Sequence, residues 1–188
     1  TPVAIYAAIG NASARGALVK GGKYIEALAS ITAIALDKTR TITFGKPVVS
    51  DVFPLNGNSR EELLACGAGT EIFSEHPLAQ AIVDASVAEG FTPHESQKFR
   101  SIIGKGATAT CLVCKDETTY VGKLEFIREH TPFDREEKKI VAGLSGDGAT
   151  SVVVSCGGAI AGVIGLMDEI KPDSAAAVKE LRALGIEP

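Results

Sequence analysis

A short apolar segment that ends at an acidic residue constrains the fold of this chain more than any other feature. Residues 31–36 read ITAIAL, and the next residue is Asp37. A short, Ile-rich apolar run of this kind is typical of a buried strand in a parallel sheet. In α/β folds, ligands and reactive groups lie at the carboxyl ends of such strands. The sequence therefore predicts that Asp37 lies at a functional edge of an α/β sheet.

The composition indicates a folded chain and argues against several classes of protein. The 188 residues are 45% hydrophobic, enough to build one good-sized domain or two small ones. The formal net charge of −4 argues against a dedicated nucleic-acid-binding protein, which normally carries a basic surface. The longest nearly apolar stretch, residues 152–167, is shorter than the roughly 20 residues that a membrane-spanning helix needs. The first residues, TPVAIYAAIG, lack the basic start of a signal peptide.

Four cysteines are too few and too scattered for a disulfide framework in a chain of this size. Cys111 and Cys114 form a CxxC pair, but one such pair without a second Cys or His pair is a weak zinc signal. The surrounding segment, TATCLVCKD, is typical of a strand, in which residues three apart point to opposite faces. We therefore expect these two thiols to diverge and to bind no metal. The other cysteines are Cys66 and Cys156.

Local signals between residues 46 and 166 predict a large α+β insertion. Ser59 and Glu62 form a capping-box pattern for the start of a helix. Residues 99–121 predict two strands on either side of a Gly-Lys-Gly turn, and a Gly-Gly pair at 157–158 predicts a tight hairpin. The insertion is thus expected to combine antiparallel strands with helices.

Asp37 heads the tripeptide DKT, whose chemistry depends on the residue two positions later. A carboxylate at a strand end can attack phosphorus and form an acyl phosphate. Phosphatases built on this plan place a second Asp two residues on as acid and base, but this chain has Thr39. A hydroxyl there would let the aspartyl phosphate persist, which suits a machine that uses the intermediate to drive motion. The tripeptide alone leaves open that Asp37 is an ordinary turn residue.

Motifs in a fixed order along the chain resemble those of the P-type ATPases. Residues 34–47, IALDKTRTITFGKP, resemble the phosphorylation motif DKTGTxTxGxx of that family. Residues 74–79 resemble the SEHPLA signature of its heavy-metal-transporting subclass, and the GxG pair at 104–106 matches the glycines that follow it. GALVKGG near the start is similar to the stalk after a membrane helix, and DEIKP at 168–172 resembles the hinge back into the phosphorylation domain. The resemblance covers nearly the whole chain.

The resemblance implies a two-part α/β architecture. An antiparallel sheet flanked by helices, the nucleotide-binding domain, would be inserted into a partial haloacid-dehalogenase-like Rossmannoid phosphorylation domain. Residues 1–45 would form the stalk and the first part of the phosphorylation domain, residues 46–166 the nucleotide-binding domain, and residues 167–188 the truncated second part. The chain would be a cytoplasmic domain of an integral membrane protein.

The resemblance also implies the partners and cofactors of the intact pump. ATP, with Mg²⁺, would phosphorylate Asp37, with Lys38 and Thr39 beside it. The partners would be ATP or ADP, the membrane and actuator domains of the same pump and a heavy-metal cation, with no nucleic acid. Most Mg²⁺ ligands would lie outside these residues, and no metal site is expected within them. By the same resemblance, the nucleotide-binding residues would be Glu71, His76, Gly104, Gly106, Gly146 and Gly148.

The chemistry of these residue types agrees with the implied roles. An imidazole such as that of His76 can stack on a purine or hydrogen-bond to it, and the Glu71 carboxylate can accept from the adenine amino group. Glycine removes the Cβ that would collide with a closely approaching ligand. The remaining histidines, His94 and His130, lie among polar residues and are expected at the surface.

The chain departs from the family pattern in two ways. Arg40 stands where the motif has Gly, beside the phosphorylated Asp, and we expect its bulk to impair phosphorylation. The TGD and GDGxND motifs, which supply carboxylates for Mg²⁺, are not among these residues. We therefore expect the chain to bind ATP or ADP weakly and to show no steady turnover by itself.

Two further functional classes stay open. A haloacid-dehalogenase-type phosphatase or phosphotransferase would also use Asp37, although Thr39 and the missing C-terminal Asp pair argue against it. A non-enzymatic metal-binding or interaction module would use Cys111 and Cys114, although divergent thiols argue against that. The transported cation is not readable from this stretch, because the side chains that select it would lie in membrane helices.

Overall fold

The computed structural model describes residues 2–115, 117–132, 134–146 and 148–188. The chain divides into two compact units. The first unit consists of Thr1–Thr43 with Ile170–Pro188, and the second unit is Phe44–Glu169. Among the described residues, no helix is long and apolar enough to cross a membrane.

A six-stranded sheet forms the framework of the second unit. The strands lie side by side in the order β1-β6-β5-β4-β3-β2. The pairs β2–β3, β3–β4, β4–β5 and β5–β6 are antiparallel. The predicted antiparallel sheet flanked by helices is therefore confirmed. The strands are β1 (Thr43–Pro54), β2 (Ser96–Ile102), β3 (Gly106–Cys111), β4 (Glu117–Gly122), β5 (Thr150–Cys156) and β6 (Ala159–Ile170).

Some helices of the second unit begin at residues whose side chains satisfy backbone N–H groups of the first turn. At the start of α3, Ser59 Oγ accepts from Glu62 N–H at 3.1 Å, and Glu62 Oε2 accepts from Ser59 N–H at 2.7 Å, so the predicted capping box is confirmed. Asp134 and Glu137 form the same reciprocal pair before α6, at 3.0 and 2.7 Å. The helices are α1 (Pro2–Ala14), α2 (Gly22–Leu28), α3 (Arg60–Glu71), α4 (Pro77–Ala88), α5 (Leu124–Arg128), α6 (Arg135–Gly146) and α7 (Ser174–Ala183).

Helices cover both faces of the sheet, and alternate residues of β5 show which helices lie on which face. Val152 and Val154 belong to a buried cluster with side chains of α3 and α4, including Leu64. Val153 belongs to a second cluster with side chains of α5 and α6, including Phe126. Because successive strand residues point to opposite faces, α3 and α4 cover one face and α5 and α6 the other.

The turn between β5 and β6 is the tight hairpin that the sequence predicts. β5 ends at Cys156 and β6 begins at Ala159. Gly157 and Gly158 have left-handed φ values of 59° and 78°. A two-residue hairpin turn of type I′ requires such values at both positions. The prediction of a hairpin at this Gly-Gly pair is confirmed.

The prediction that residues 31–36 form a buried strand of a parallel sheet is wrong for the described chain. This segment forms one isolated parallel bridge, Ala33 to Glu187, with Ile34 N–H donating to Glu187 O at 2.9 Å. Its side chains are exposed or half-buried. A parallel strand is buried by neighbouring strands and by helices on both faces. Among the described residues, only the segment around Glu187 pairs with this one.

The region around the CxxC pair also differs from the sequence-based expectation. Residues 96–122 form three strands rather than two, and β3 ends at Cys111. Residues 112–115 form a turn, so Cys114 does not lie in a strand, and its side chain does not follow the alternation of strand residues. The ligand atoms of Cys111 and Cys114 lie within 4.8 Å of each other, so the expectation that the two thiols diverge is wrong.

Candidate functional site

A cavity of about 370 Å³ lies in the second unit, beside the start of α4 and the turn between β2 and β3. Sequence-distant residues meet in its lining: Glu71 ends α3, His76 precedes α4, and Gly104 and Gly106 flank the β2–β3 turn. The structure therefore brings together four of the six residues that the sequence assigned to nucleotide binding.

Glu71 is a buried carboxyl group at the edge of this cavity. Its residue is only 8% exposed. Burial raises the pKa of Glu71 above its usual range, and a hydrogen bond with the Ser74 side chain partly opposes that rise. An ionised Glu71 would therefore be stabilised by a ligand that donates a hydrogen bond to it.

His76 has a structural role that also orients its ring. As the N-cap residue of α4, it accepts a hydrogen bond on Nδ1 from Leu78 N–H at 3.2 Å. A neutral ring that accepts on Nδ1 carries its proton on Nε2. Pro77 occupies the first turn of the helix, where its missing N–H group needs no partner. The imidazole thus combines helix capping with an Nε2–H donor at the cavity.

The two predicted glycines of the turn serve different physical purposes. Gly104 has a left-handed φ of 73°, and a Cβ built there would meet no heavy atom within 4 Å. Gly106 pairs with Gly122 of β4, and a Cβ at Gly106 would collide with the Val121 carbonyl oxygen and the Gly122 Cα. Gly104 leaves the cavity wall open, whereas Gly106 lets β3 and β4 approach closely.

Sequence reasoning missed two basic residues of the lining, Lys105 and Lys123. Lys105 lies between the two glycines of the turn, and its Nζ is 2.7 Å from Glu129 Oε1 in a half-exposed ion pair. Lys123 follows Gly122 directly, at the start of α5. The position of Lys105 inside the GxG pair was a usable signal. No sequence signal indicated Lys123. It lies near the β2–β3 turn only because the preceding residue, Gly122, pairs with Gly106.

Gly146 and Gly148 are not among the described residues that line the cavity. Gly146 ends α6, and Gly148 has a left-handed φ of 78° with its N–H donating to Ser145 O at 3.2 Å. The strand that follows this turn contributes Thr150 and Ser151 to the lining. The assignment of the two glycines to nucleotide binding stays a prediction, and the Asp between them lies outside the described residues.

In the first unit, Asp37 is exposed and directly precedes an irregular turn, Lys38–Ile42. The backbone of this turn is held by the segment after β6. Lys171 Nζ donates to Arg40 O at 2.8 Å, and Lys171 N–H donates to Ile42 O at 2.9 Å. Ser174 Oγ donates to Ile42 O at 2.8 Å. The loop that carries Asp37 and the DEIKP segment therefore form one hydrogen-bonded structure.

Arg40 has a backbone conformation that explains the Gly of the resembling motif. Its φ of 64° is left-handed. A non-glycine residue in this region costs roughly 1–2 kcal/mol, and glycine adopts it without that penalty. The departure from the motif therefore has a backbone cost in addition to the bulk of the side chain beside Asp37.

The described residues around Asp37 do not make a Mg²⁺ site by themselves. Asp37 belongs to no group of three described Asp, Glu, His or Cys side chains whose ligand atoms lie close together. Mg²⁺ prefers oxygen ligands from several groups in octahedral geometry.

Comparison with known proteins agrees with this fold. Residues 31–188 match the family described as "Hydrolase: haloacid dehalogenase-like hydrolase". The chain belongs to the haloacid dehalogenase-like hydrolases. Its matched region includes Asp37 and the whole second unit, so the family covers both candidate sites.

Within the haloacid dehalogenase-like hydrolases, the chain is similar to metal-transporting ATPases. It is 37% identical over 192 residues to a probable cadmium-transporting ATPase of Alkalihalophilus pseudofirmus, covering 100% of this chain and 26% of that protein. It is 40% identical over 193 residues to the zinc/cadmium/lead-transporting P-type ATPase of Escherichia coli K12, covering 100% and 24%. The chain therefore spans about a quarter of the length of these curated relatives.

A solved structure shows the same likeness in three dimensions. The crystal structure of a zinc-transporting PIB-type ATPase in the E2·Pi state matches with a TM-score of 0.83 and 34% identity, covering 99% of this chain and 30% of that one. The resemblance to heavy-metal P-type ATPases that the motifs indicated is confirmed.

Proposed function

We propose that this chain supplies the ATP-binding and phosphorylated segments of a P-type ATPase that moves a heavy-metal cation across a membrane. The cavity of the second unit carries the proposal, because it gathers Glu71, His76, Gly104 and Gly106 from separate elements. The similarity to cadmium- and zinc-transporting ATPases supports the same function.

The adenine would bind in the apolar part of this cavity. Its volume of about 370 Å³ falls within the range of small-molecule sites. The Glu71 carboxylate would accept from the adenine amino group, and His76 Nε2–H would donate to a ring nitrogen or the imidazole would stack on the purine. The contact between the Glu71 carboxylate and the amino group would favour adenine over bases that lack an amino group at that position.

The phosphates would extend towards the basic residues of the lining. Lys105 and Lys123 provide ammonium groups that attract a polyphosphate. Gly104 presents no side chain and leaves room at the β2–β3 turn. These residues would hold ATP or ADP, with Mg²⁺ accompanying ATP and neutralising phosphate charge in the intact pump.

In the intact pump, an Asp37 carboxylate oxygen would attack the γ-phosphorus of ATP. The new bond gives an aspartyl phosphate, the bond between the γ-phosphorus and the β–γ bridging oxygen breaks, and ADP leaves. Thr39 lacks the carboxylate that would rapidly hydrolyse this intermediate. A free-standing phosphatase of the same family is less well supported for that reason.

A calorimetric titration of the 188-residue chain with ATP, ADP and GTP tests the nucleotide site. The sharpest variant is His76→Asn, because Asn caps a helix as well as any residue but lacks the Nε2–H donor. We expect ADP affinity to fall by about tenfold, which corresponds to about 1.4 kcal/mol.

His130→Asn is the matched control, since His130 is exposed and outside the cavity lining. It is expected to leave ADP affinity unchanged, and GTP is expected to bind more weakly than ATP. Wild-type affinity in both His76→Asn and Glu71→Ala would overturn the adenine assignment.

A further inference from the structure

A second group of chemically reactive side chains lies in the same unit, apart from the nucleotide cavity. Its members are Cys66, His94, Cys111 and Cys114, and one ligand atom from each lies within 4.8 Å of all the others. Among the described residues, this is the one such group of His, Cys, Asp or Glu side chains. None of the four residues lines the nucleotide cavity.

The distances within this Cys/His cluster match the dimensions of a tetrahedral metal site. His94 Nδ1 is 3.5 Å from Cys111 Sγ and 3.6 Å from Cys114 Sγ. With zinc–sulfur bonds of about 2.3 Å and zinc–nitrogen bonds of about 2.0–2.1 Å, a tetrahedron has S···N edges of about 3.5 Å. The two S···N separations therefore match the edges that one ion would impose, and all four ligand atoms lie within 4.8 Å of one another.

The backbone holds these side chains in place through contacts with the core. His94 N–H donates to Ala65 O of α3 at 2.9 Å. Ala65 directly precedes Cys66, so this bond holds His94 beside Cys66. Gly69 of α3 permits this approach, because a Cβ there would collide with the His94 carbonyl. Cys66 of the cluster therefore lies on a buried helix, and this hydrogen bond ties the His94 segment to that helix.

The end of β3 and the turn after it supply the other two ligands. Cys111 is the last residue of β3, and Cys114 N–H donates to Cys111 Sγ at 3.4 Å. Leu112 N–H donates to Glu95 O at 2.9 Å, which ties the turn to the segment that carries His94. A backbone N–H that donates to a sulfur favours the thiolate form, which is the form that binds metal.

A cavity gives solvent access to the cluster. Cys66, His94 and Cys114 are among its lining residues, and its volume is about 370 Å³. Glu62 and Glu117 also line it and add negative charge, which attracts a cation. A fourth cysteine, Cys156, lines the same cavity but is not one of the four clustered ligands.

We propose that Cys66, His94, Cys111 and Cys114 bind one zinc-class d¹⁰ cation, Zn²⁺ or Cd²⁺, in a tetrahedral Cys₃His site. Soft thiolates with one imidazole select such ions over Mg²⁺ or Mn²⁺, which prefer oxygen ligands. Four protein ligands leave no open position, so the site is of the structural type and joins α3, the His94 segment and the β3–β4 turn. This proposed site differs from the sequence-based expectation that these residues contain no metal site.

The test titrates the reduced, chelator-stripped 188-residue chain with Cd²⁺ alone and follows the ultraviolet cadmium–thiolate absorption. We expect a band that saturates at one ion per chain, Zn²⁺ competing for the same site, and no competition by Mg²⁺ or Mn²⁺. Zn²⁺ is also expected to raise the Tm of the chain. Absence of the band, or a disulfide between Cys111 and Cys114 that persists under these reducing conditions, would overturn the proposal.

Cys114→Ser and Cys156→Ser form a matched pair for this titration. Cys114 lies in a half-exposed turn, so its loss is expected to weaken Cd²⁺ binding without unfolding the chain. The expected loss is at least about 100-fold, above the roughly 10–100-fold that losing an outer hydrogen-bond partner of a metal ligand costs. Cys156→Ser is expected to keep wild-type affinity, and equal losses in the two variants would contradict the site.

The wild-type chain provides an independent measurement, whatever the folding of the variants. It has 3 histidines, so NMR of the imidazole nitrogens resolves each one. Cd²⁺ or Zn²⁺ is expected to shift the His94 ring nitrogens and to leave those of His76 and His130 in place. Saturating metal without a shift at His94 would overturn the Cys₃His assignment.

Discussion

The two compact units of this chain differ in how completely they bury their apolar side chains. In Phe44–Glu169, two clusters of buried residues pack between the sheet and its helices. In Thr1–Thr43 with Ile170–Pro188, no described hydrophobic side chain is fully buried. Several large ones are exposed in that unit, including Val3, Tyr6, Leu18, Leu28 and Leu184.

This difference shows that apolar sequence alone does not make a core. Residues 31–36 are an apolar run, as β5 is, yet they form only one parallel bridge, whereas β5 lies between two strands and under helices on both faces. Burial stabilises a strand only when neighbouring elements remove it from water. Stability should therefore be concentrated in the second unit, and substitutions should show it.

The largest expected effect is loss of a core side chain in the second unit. Leu63 of α3 is fully buried, so Leu63→Ala should lower the free energy of unfolding by about 2–5 kcal/mol. Leu28→Ala, at a position 54% exposed in the first unit, should change it by less than about 0.5 kcal/mol. Urea unfolding followed by circular dichroism measures both. Equal losses would contradict the contrast between the units.

A pair of glycine substitutions should have opposite signs in the two units. Gly106→Ala places a methyl group against the Val121 carbonyl and should cost about 1–3 kcal/mol, as overpacking does. Gly10→Ala lies within α1, where a Cβ meets nothing within 4 Å, and should stabilise the helix by about 0.5–1 kcal/mol. The same unfolding curves report both changes, and a stabilising Gly106→Ala would argue against close packing of β3 on β4.

A smaller effect is expected at the left-handed residue of the first unit. Arg40→Gly should stabilise the loop by about 0.5–1 kcal/mol, which is the left-handed penalty less the entropic cost of glycine. Native-state hydrogen exchange of the Lys171 amide, which donates to Ile42 O, measures it. Lys38→Gly is the control, because Lys38 is not left-handed, and it should speed exchange.

The smallest expected effect is a pH dependence from Glu71. Its folded pKa is raised by burial, so its contribution to stability is fully present below the ordinary value of 4.5 and is lost as pH rises through the folded pKa. Glu71→Gln removes this loss, so the variant should gain stability relative to wild type as pH rises across that window. Unfolding at a series of pH values measures the difference, and a constant difference would argue against a buried Glu71.

The parts of the fold that the sequence predicted are those set by neighbours along the chain. The Ser59–Glu62 capping box and the Gly157–Gly158 hairpin each depend on a few adjacent residues, and both are confirmed. The prediction of a strand at residues 31–36 was wrong, because burial of a strand depends on elements far away in sequence.

The candidate nucleotide site divides in the same way. Glu71, His76 and the GxG pair were found from motif resemblance, and the structure places them around one cavity. Lys123 was missed because its place beside the turn depends on the pairing of Gly106 with Gly122. His94, expected at the surface, is half-buried between thiols for a similar reason.

By itself, the sequence determined the family, the start of α3, the hairpin turn and the order of the motifs, because these depend on residue types at short spacings. Only the tertiary structure decided that Cys66, His94, Cys111 and Cys114 converge and that Arg40 has a left-handed backbone. Convergence results from packing α3 against the sheet and from ending β3 at Cys111. Such through-space contacts between distant segments leave no periodic signal along the chain.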